Sequence, residues 1–340
     1  MKNTPLGNEN DIAVSTRIRI ARNIKGIPYP KRMTTADAKN VIDRVWEALK
    51  KSSLGNSLSI YHMEDMSGAE KKSLIERHLI STELASQKAV SAAIISGDET
   101  VSIMINEEDH IRLQVFAQGL DAENAYTTAK RIESLLAEEI TFDRDQKFGF
   151  LTACPTNAGS GLRASVMLHL PAITMSQNVN PLLKWASNLG MTVRGLYGEG
   201  SKPGGALFQL SNQITLGVSD KEILSRFTAA ACNLISEERR ICAELFDKNR
   251  CELTDKCLRS LGILKNAYMI SSSEAMNLVS NVCMGANSGI IKNIDRNSLR
   301  KAMFDTMPYT ISISQNTQTD TQRDIKRAQM LQNILLTREE

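Results

Sequence analysis

The chain is poor in histidine, in aromatic residues and in net charge. Its 340 residues include four histidines, none at metal-ligand spacing from another, which argues against a histidine-built metal centre. Aromatic side chains make up 5%, too few for the stacking platforms that grip single-stranded nucleic acid. The formal net charge of +3 is too small for a dedicated polyanion binder, so direct nucleic-acid binding is not expected. Six cysteines, at 154, 232, 242, 251, 257 and 283, form no CxxC pair. Free thiols and a reducing, cytoplasmic setting are therefore expected. No apolar run reaches the ~18 residues of a membrane span. Met1-Lys2-Asn3-Thr4-Pro5 lacks the apolar stretch of a signal peptide. Neither a Walker A loop nor the protein-kinase glycine-rich loop and HRD triplet is present.

What is present is an ordinary globular composition, 42% hydrophobic and 23% charged, at a length that suits two domains. Val14-Ser15-Thr16-Arg17-Ile18-Arg19-Ile20 alternates as a half-buried strand, so Arg17 and Arg19 share a face. Thr34 and Asp37 form a capping-box pattern before a helix whose apolar stripe is Ala38, Val41, Ile42, Val45 and Leu49. Strands are predicted at 57–63, 90–96, 100–106 and 111–116, with a hairpin at Gly97-Asp98. Helices are predicted at 67–78 and 122–139. The middle is glycine-punctuated, with strands expected at 148–152, 166–170, 191–196, 206–210 and 213–217. A helix from 219 to about 247 leads into an all-helical remainder. The expected fold class is α+β: an antiparallel β-sheet flanked by helices, then a C-terminal α-helical domain. The boundaries read as a flexible 1–10, a catalytic domain over 11–245 and a helical domain over 250–340.

The most informative stretch is Asn106-Glu107-Glu108-Asp109-His110-Ile111-Arg112. Three successive carboxylates at a strand end repel one another, and holding them there calls for a cation. Arg112 adds the opposite sign. Five arginines, Arg17, Arg19, Arg112, Arg163 and Arg194, stand at strand ends or beside glycine-rich or acidic segments. Guanidinium forks suit phosphate oxygens, although any one of these arginines could be an ordinary surface ion pair. Cys154, before Pro155 and a Gly-x-Gly loop, reads either as an inert buried thiol or as a thiolate favoured by nearby arginines. Glu199, between two glycines, reads either as a solvated loop residue or as a site carboxylate.

Four segments resemble the signatures of the phosphagen (guanidino) kinases, the ATP:guanido phosphotransferases. They are Ser15-Thr16-Arg17-Ile18-Arg19, the Asn106–Arg112 stretch, Cys154-Pro155-Thr156-Asn157-Ala158-Gly159-Ser160-Gly161-Leu162-Arg163 and Arg194-Gly195-Leu196-Tyr197-Gly198-Glu199. The resemblance covers nearly the whole chain and is nearest to the bacterial branch that phosphorylates arginine side chains in proteins. Kinases of free arginine or creatine carry a helical domain before the Ser-Thr-Arg-x-Arg strand, whereas fourteen residues precede Ser15 here. They also carry a longer basic segment where this chain has 92–100, which leaves the adenine contacts open.

The resemblance implies a phosphagen-kinase catalytic domain, glutamine-synthetase-like in fold, with ATP and Mg²⁺ as cofactors. It assigns Arg17, Arg19, Arg112, Arg163 and Arg194, with Ser15, to the nucleotide. Glu108 becomes the guanidinium clamp and base, and Glu199 the second clamp. Glu107 acts on Mg²⁺ through water, and no residue ligates the metal directly. Cys154 tunes the guanidinium electrostatically. The Gly198–Gly205 segment becomes a closing loop, and Asp109 and His110 brace the turn. In the helical domain Arg323 and Asp324 resemble a phosphoarginine-binding pair, with a helix-surface pair as the alternative. Implied partners are arginine-bearing protein substrates, an AAA+ unfoldase–protease, a zinc-binding activator, a heat-shock repressor substrate and a second copy in a homodimer. The rival readings are a kinase of free arginine or another small guanidine, and a non-catalytic phosphoarginine-binding regulator.

Overall fold

The structure, a computed structural model, describes residues 9–176, 179–195 and 204–336. The chain begins with β1 (Ala13–Arg22), α1 (Thr35–Lys50), β2 (Leu58–His62), α2 (Gly68–Glu76) and α3 (Thr82–Ser86). Three strands follow, β3 (Ala92–Ser96), β4 (Val101–Ile105) and β5 (Ile111–Gln118), and then α4 (Ala122–Glu139). A small hairpin of β6 (Arg144–Asp145) and β7 (Gly149–Phe150) leads to β8 (Leu162–His169), α5 (Pro171–Met175) and α6 (Val179–Asn188). After β9 (Met191–Gly195) and β10 (Leu207–Asn212) come α7 (Asp220–Lys248), α8 (Arg250–Asn266) and α9 (Ser272–Asn287). The described chain closes with α10 (Arg296–Asp305), α11 (Pro308–Gln315) and α12 (Asp320–Leu336).

Two compact units result. The first comprises Ser15–Val166 and Ser211–Ala229; the second is made of the described parts of Asn8–Val14, Met167–Leu210 and Ala230–Glu340.

In the first unit the sheet runs β2-β3-β4-β5-β1-β8. The pairs β2–β3, β3–β4, β4–β5 and β5–β1 are antiparallel. Alternation decides which face each β1 residue takes: Thr16, Ile18 and Ile20 are buried on one face, and Ser15, Arg17 and Arg19 take the other. Thr34 and Asp37 cap α1 reciprocally, as their spacing predicts, and the buried stripe is Ala38, Val41, Ile42, Val45, Ala48 and Leu49. Helix α4 packs on β5 and on α1.

Two expected strands are corrected. The 148–152 strand shrinks to Gly149–Phe150. The 213–217 strand is absent. Strand β10 stops at Asn212, whose side-chain amide donates to the Leu162 and Ile214 carbonyls. Thr215 then turns inward, and its hydroxyl donates to the carbonyls of Thr156 and Ala158 at 2.8 Å each. Loop bracing replaces the ladder.

The second unit is mainly helical. Its core joins Leu253, Cys257 and Leu264 of α8, Met276, Val279 and Cys283 of α9, Leu299 and Met303 of α10, and Leu331 and Leu335 of α12. No helix among the described residues is long and apolar enough to cross a membrane.

Candidate active site

Strands β4 and β5 end their ladder at Ile105 and Ile111, so residues 106–110 must reverse the chain. Asn106 starts the reversal at φ 61°, a left-handed conformation that asparagine tolerates better than most residues. Its N–H donates to the His110 carbonyl at 3.0 Å. Its side-chain amide donates to the carbonyls of Ala38 and Val90, at 2.9 and 3.2 Å. The turn is thereby pinned to α1 and to the start of β3.

Asp109 and His110 hold the turn from the other side. The Asp109 carboxylate accepts from the Asn23 amide and from the Ala153 N–H, both at 2.7 Å. Burial raises its pKa against those two donors. The His110 N–H donates to Asn23 Oδ1 at 2.8 Å. Its Nδ1 accepts from the Ile24 N–H at 3.0 Å, so Nε2 carries the proton and donates to the Pro28 carbonyl at 2.9 Å. Burial depresses the His110 pKa, which keeps the ring neutral. Both side chains are consumed in bracing.

Glu107 and Glu108 diverge. Glu107 is buried, and burial alone would raise its pKa. Ion pairing with Arg112 Nη1 at 2.5 Å and a hydrogen bond donated by the Ser81 hydroxyl outweigh that and lower it. Glu108 is half-buried, and its pKa is raised, first by burial and then by the Asp109 charge. Among the described residues its carboxylate has no hydrogen bond or ion pair of its own. The acidic turn therefore holds one carboxylate in a direct ion pair beside one whose opposing charges, Arg112 and Lys31, do not outweigh burial and Asp109.

Four arginines gather in the same unit. Arg17 and Arg19 project from one face of β1, Arg112 from β5 and Arg163 from β8. Burial depresses the Arg17 pKa, and repulsion from Arg112 and Arg163 adds to it. Arg19 is depressed further, by burial and then by Arg112, Arg17 and Arg163, with Glu107 opposing. Arg17 reaches the Ser165 hydroxyl at 3.4 Å and Gln114 at 3.5 Å. Arg163 reaches the Ser211 hydroxyl at 3.0 Å. Mutual repulsion within a half-buried cationic cluster is relieved by an anion of several charges, and planar guanidinium donors match phosphate. The donor set fits a nucleoside triphosphate.

Cys154 stands before a short helical turn, Pro155–Asn157, with its thiol 2.9 Å from the Thr156 hydroxyl. The loop that follows is tight. A Cβ at Gly159 would lie 2.7 Å from the Thr215 carbonyl oxygen, and one at Gly161 2.8 Å from the Ala21 carbonyl oxygen. Both glycines also have positive φ. Arg22 is itself buried in an ion pair with Glu133, with its guanidinium 3.5 Å from the centroid of the Phe150 ring.

With this geometry in view, comparison with known proteins is decisive. Residues 40–241 match the family described as ATP:guanido phosphotransferase, C-terminal catalytic domain. The chain belongs to the ATP:guanido phosphotransferases. Residues 250–340 of this guanido phosphotransferase match a second family, described as the protein-arginine kinase McsB C-terminal domain. A protein-arginine kinase from Halothermothrix orenii is 43% identical over 97% of this chain and 94% of its own length. Another, from Clostridium acetobutylicum, is 42% identical over 94% of this chain and 95% of its own. Among solved structures, lombricine kinase is similar with a TM-score of 0.62 at 24% identity, over 71% of this chain and 70% of that one. The substrate-free duplicated taurocyamine kinase from Schistosoma mansoni gives 0.61 at 23%, over 78% and 40%. Those likenesses establish the phosphagen-kinase fold.

In this guanido phosphotransferase the predicted residues fall into three groups. Ser15, Arg17, Arg19, Glu107, Glu108, Arg112, Cys154 and Arg163 all belong to the first unit. Arg194 lies exposed on β9 of the second unit. Glu199 and residues 198–203 of the expected closing loop lie outside the described residues. On α12, Arg323 pairs with Asp320, and Asp324 pairs with Arg327. Arg327 is buried and also donates to the carbonyls of Thr306 and Ile270, at 2.8 Å each. Sequence reasoning passed over Ser81, Asn23 and Arg327. A Ser or Asn far from its partner leaves no local signal, while Arg327, three residues after Asp324, was visible as a helical pair.

Proposed function

We propose that this guanido phosphotransferase transfers the γ-phosphoryl group of ATP to the guanidinium of arginine side chains in proteins. The observation that carries the proposal is the Glu108 carboxylate, outside any direct ion pair and raised in pKa, in the same unit as four mutually repelling arginines. The arginines suit the triphosphate and the charge that develops on the moving phosphoryl. A divalent cation bound with the nucleotide supplies further charge neutralisation. Glu107 is the acidic neighbour able to engage a water of that ion, although Arg112 and Ser81 already occupy it.

A substrate guanidinium, with a pKa above about 12, is a poor nucleophile while protonated. Glu108 holds it in line through charge-assisted hydrogen bonds. As nitrogen bonds to the γ-phosphorus and the bond to the ADP oxygen breaks, the nitrogen becomes acidic and its proton passes to the Glu108 carboxylate. A raised Glu108 pKa makes it a better acceptor than an ordinary carboxylate. Cys154 places a polarisable sulfur beside the site, and Glu199 supplies the second clamp.

Two features support protein arginine rather than free arginine as acceptor: the relatives' printed activity and the match of residues 250–340 to the protein-arginine kinase C-terminal domain. In the fuller reading Arg323 and Asp324 bind phosphoarginine, and a AAA+ unfoldase–protease reads the mark in a stress response. A zinc-binding activator and a heat-shock repressor then act as partner and substrate of a homodimeric, cytoplasmic enzyme.

The test is Glu108→Gln, incubated with ATP and a denatured arginine-bearing protein, with products read by mass spectrometry without acid. Loss of phosphoarginine in a folded variant is expected, and undiminished product would remove Glu108 from the chemistry. Free arginine as the sole acceptor of the unmodified enzyme would favour the small-guanidine reading.

A further inference from the structure

Helix α3 is five residues long and grips the acidic turn at both of its ends. At its start the Ser81 hydroxyl accepts the Leu84 N–H at 3.0 Å and donates to Glu107 Oε1. At its end Gln87, the C-cap, donates through Nε2 to the Asn106 carbonyl at 2.6 Å. The helix is itself anchored. Leu84 is buried in a cluster with Leu79, Ile80, Met104 and Phe116, and the Ser81 N–H meets Met104 Sδ at 3.2 Å. Ser81 thus stands on a rigid mount, and the N–H it accepts polarises its hydroxyl as a donor to the carboxylate.

Glu107 passes this contact on. Its side chain is 1% exposed, so its charge has to be met from within the protein. Besides the Ser81 hydroxyl it engages Arg112 Nη1, at 2.6 Å through Oε1 and 2.5 Å through Oε2. Through Oε2 it also accepts the Glu108 N–H at 3.3 Å. One carboxylate therefore ties the guanidinium of a nucleotide arginine to the backbone of the proposed base. Holding Nη1 fixes the plane of the Arg112 fork and leaves Nε and Nη2 to meet phosphate oxygens. Without the Ser81 hydroxyl the Glu107 carboxylate can turn about its terminal bonds, and Arg112 and the Glu108 backbone shift with it. A misplacement of about 1 Å in a reacting site can cost about 10²-fold in rate.

We propose that Ser81 is a positioning residue for phosphotransfer, acting through Glu107 on Arg112 and Glu108. The inference deepens the proposed function and rests on it for the roles of those two residues. Ser81 holds and does not react. Its hydroxyl fixes one oxygen of the carboxylate that orients both the phosphate-binding fork and the turn carrying the base, and Gln87 fixes the other end of the same turn.

Two roles of Ser81 have to be separated, the donor to Glu107 and the cap of α3. Ser81→Gly removes the hydroxyl, and glycine serves almost as well as serine at an N-cap. Ser81→Asp keeps a strong cap but sets a second carboxylate against Glu107. Ser81→Thr keeps both bonds. The full-length enzymes are compared with ATP, Mg²⁺ and a denatured arginine-bearing protein. Ser81→Gly is expected to lose about tenfold in kcat/KM for ATP, the order of one hydrogen bond to a charged group, and Ser81→Asp more. Affinity for ATP by calorimetry should fall with it, while the urea midpoint of Ser81→Gly stays parental. Ser81→Thr should restore activity and affinity together. Parental kinetics and affinity in Ser81→Gly would overturn the proposal. So would a Ser81→Asp enzyme as active as the parent, which would make Ser81 a helix cap alone. A parent that binds ATP yet leaves phosphoarginine on no protein would refute the protein-arginine reading, and the ATP affinities of the variants would still decide for or against Ser81.

Discussion

Of the places where carboxylates and guanidinium groups meet among the described residues, the acidic turn and α12 do so on opposite terms. In the acidic turn Glu107 is matched by Arg112, but Glu108 is unmatched, and Arg17 and Arg19 repel Arg112 and Arg163. On α12 each named charge has a partner three residues away: Arg323 with Asp320, Asp324 with Arg327. Buried charge left unbalanced costs folding free energy, and it persists where a ligand will balance it. Balanced charge holds a helix in place. The first region keeps charge for a ligand to balance, as the proposed function requires, and the second is already satisfied by its own residues.

Substitutions can break or sharpen this contrast. The largest expected effect is on the balanced side. Arg327→Ala strands the Asp324 carboxylate and leaves two buried carbonyls without their donor. A loss of about 3–5 kcal/mol is expected, the usual result of breaking a buried pair, readable by urea denaturation. Near-parental stability would erase the distinction between the regions. Next, Arg19→Gln removes a repelled charge. Phosphotransfer should fall about 10²–10³-fold, as when one transition-state donor is removed, while stability in the absence of nucleotide holds or rises.

Third is the pH dependence of Glu108. Its pKa is raised in the folded chain, first by burial and then by Asp109. The basic form, and with it kcat/KM, should decline on acidification at a pH above the ordinary carboxylate value of about 4.3. The stability this group contributes has the opposite sign. It is full below the unfolded pKa and is lost as pH rises through the folded one. Glu108→Gln escapes that loss, so at neutral pH it should unfold no more easily than the parent. A less stable variant would mean that Glu108 has a structural partner. The smallest effect on folding is that of Arg323→Ala, within about 1 kcal/mol for a helix-surface pair. Phosphoarginine binding measured by calorimetry should nonetheless vanish. Unchanged binding would leave Arg323 as one half of a surface pair.

Local pattern and chemistry made much of the first unit readable. Alternation along Ser15–Ile20 placed Arg17 and Arg19 together on one face, and Thr34 with Asp37 announced the start of α1. The Asn106–Arg112 stretch announced a turn crowded with charge. Two things were out of reach. The partners of Asp109 and His110, Asn23 and Ala153, lie 44 to 87 residues away in sequence. The inverted pattern at 213–217, apolar outside and threonine inside, imitates an ordinary strand. It is resolved only once Thr215 is seen against the carbonyls of Thr156 and Ala158.

The Asp109 carboxylate, shared between Asn23 and Ala153, also bears on how the enzyme is made. Three stretches remote in sequence close on one side chain, and contacts of such separation form late, after the entropy of long loops has been overcome. The amide of Ala153 should therefore exchange with deuterium only when the turn carrying Glu108 opens, as one cooperative unit. The Glu108 turn and the Cys154 loop are thereby expected to order together. On the proposed reading of Glu108, a chain whose synthesis has not yet reached Ala153 is expected to transfer no phosphoryl group.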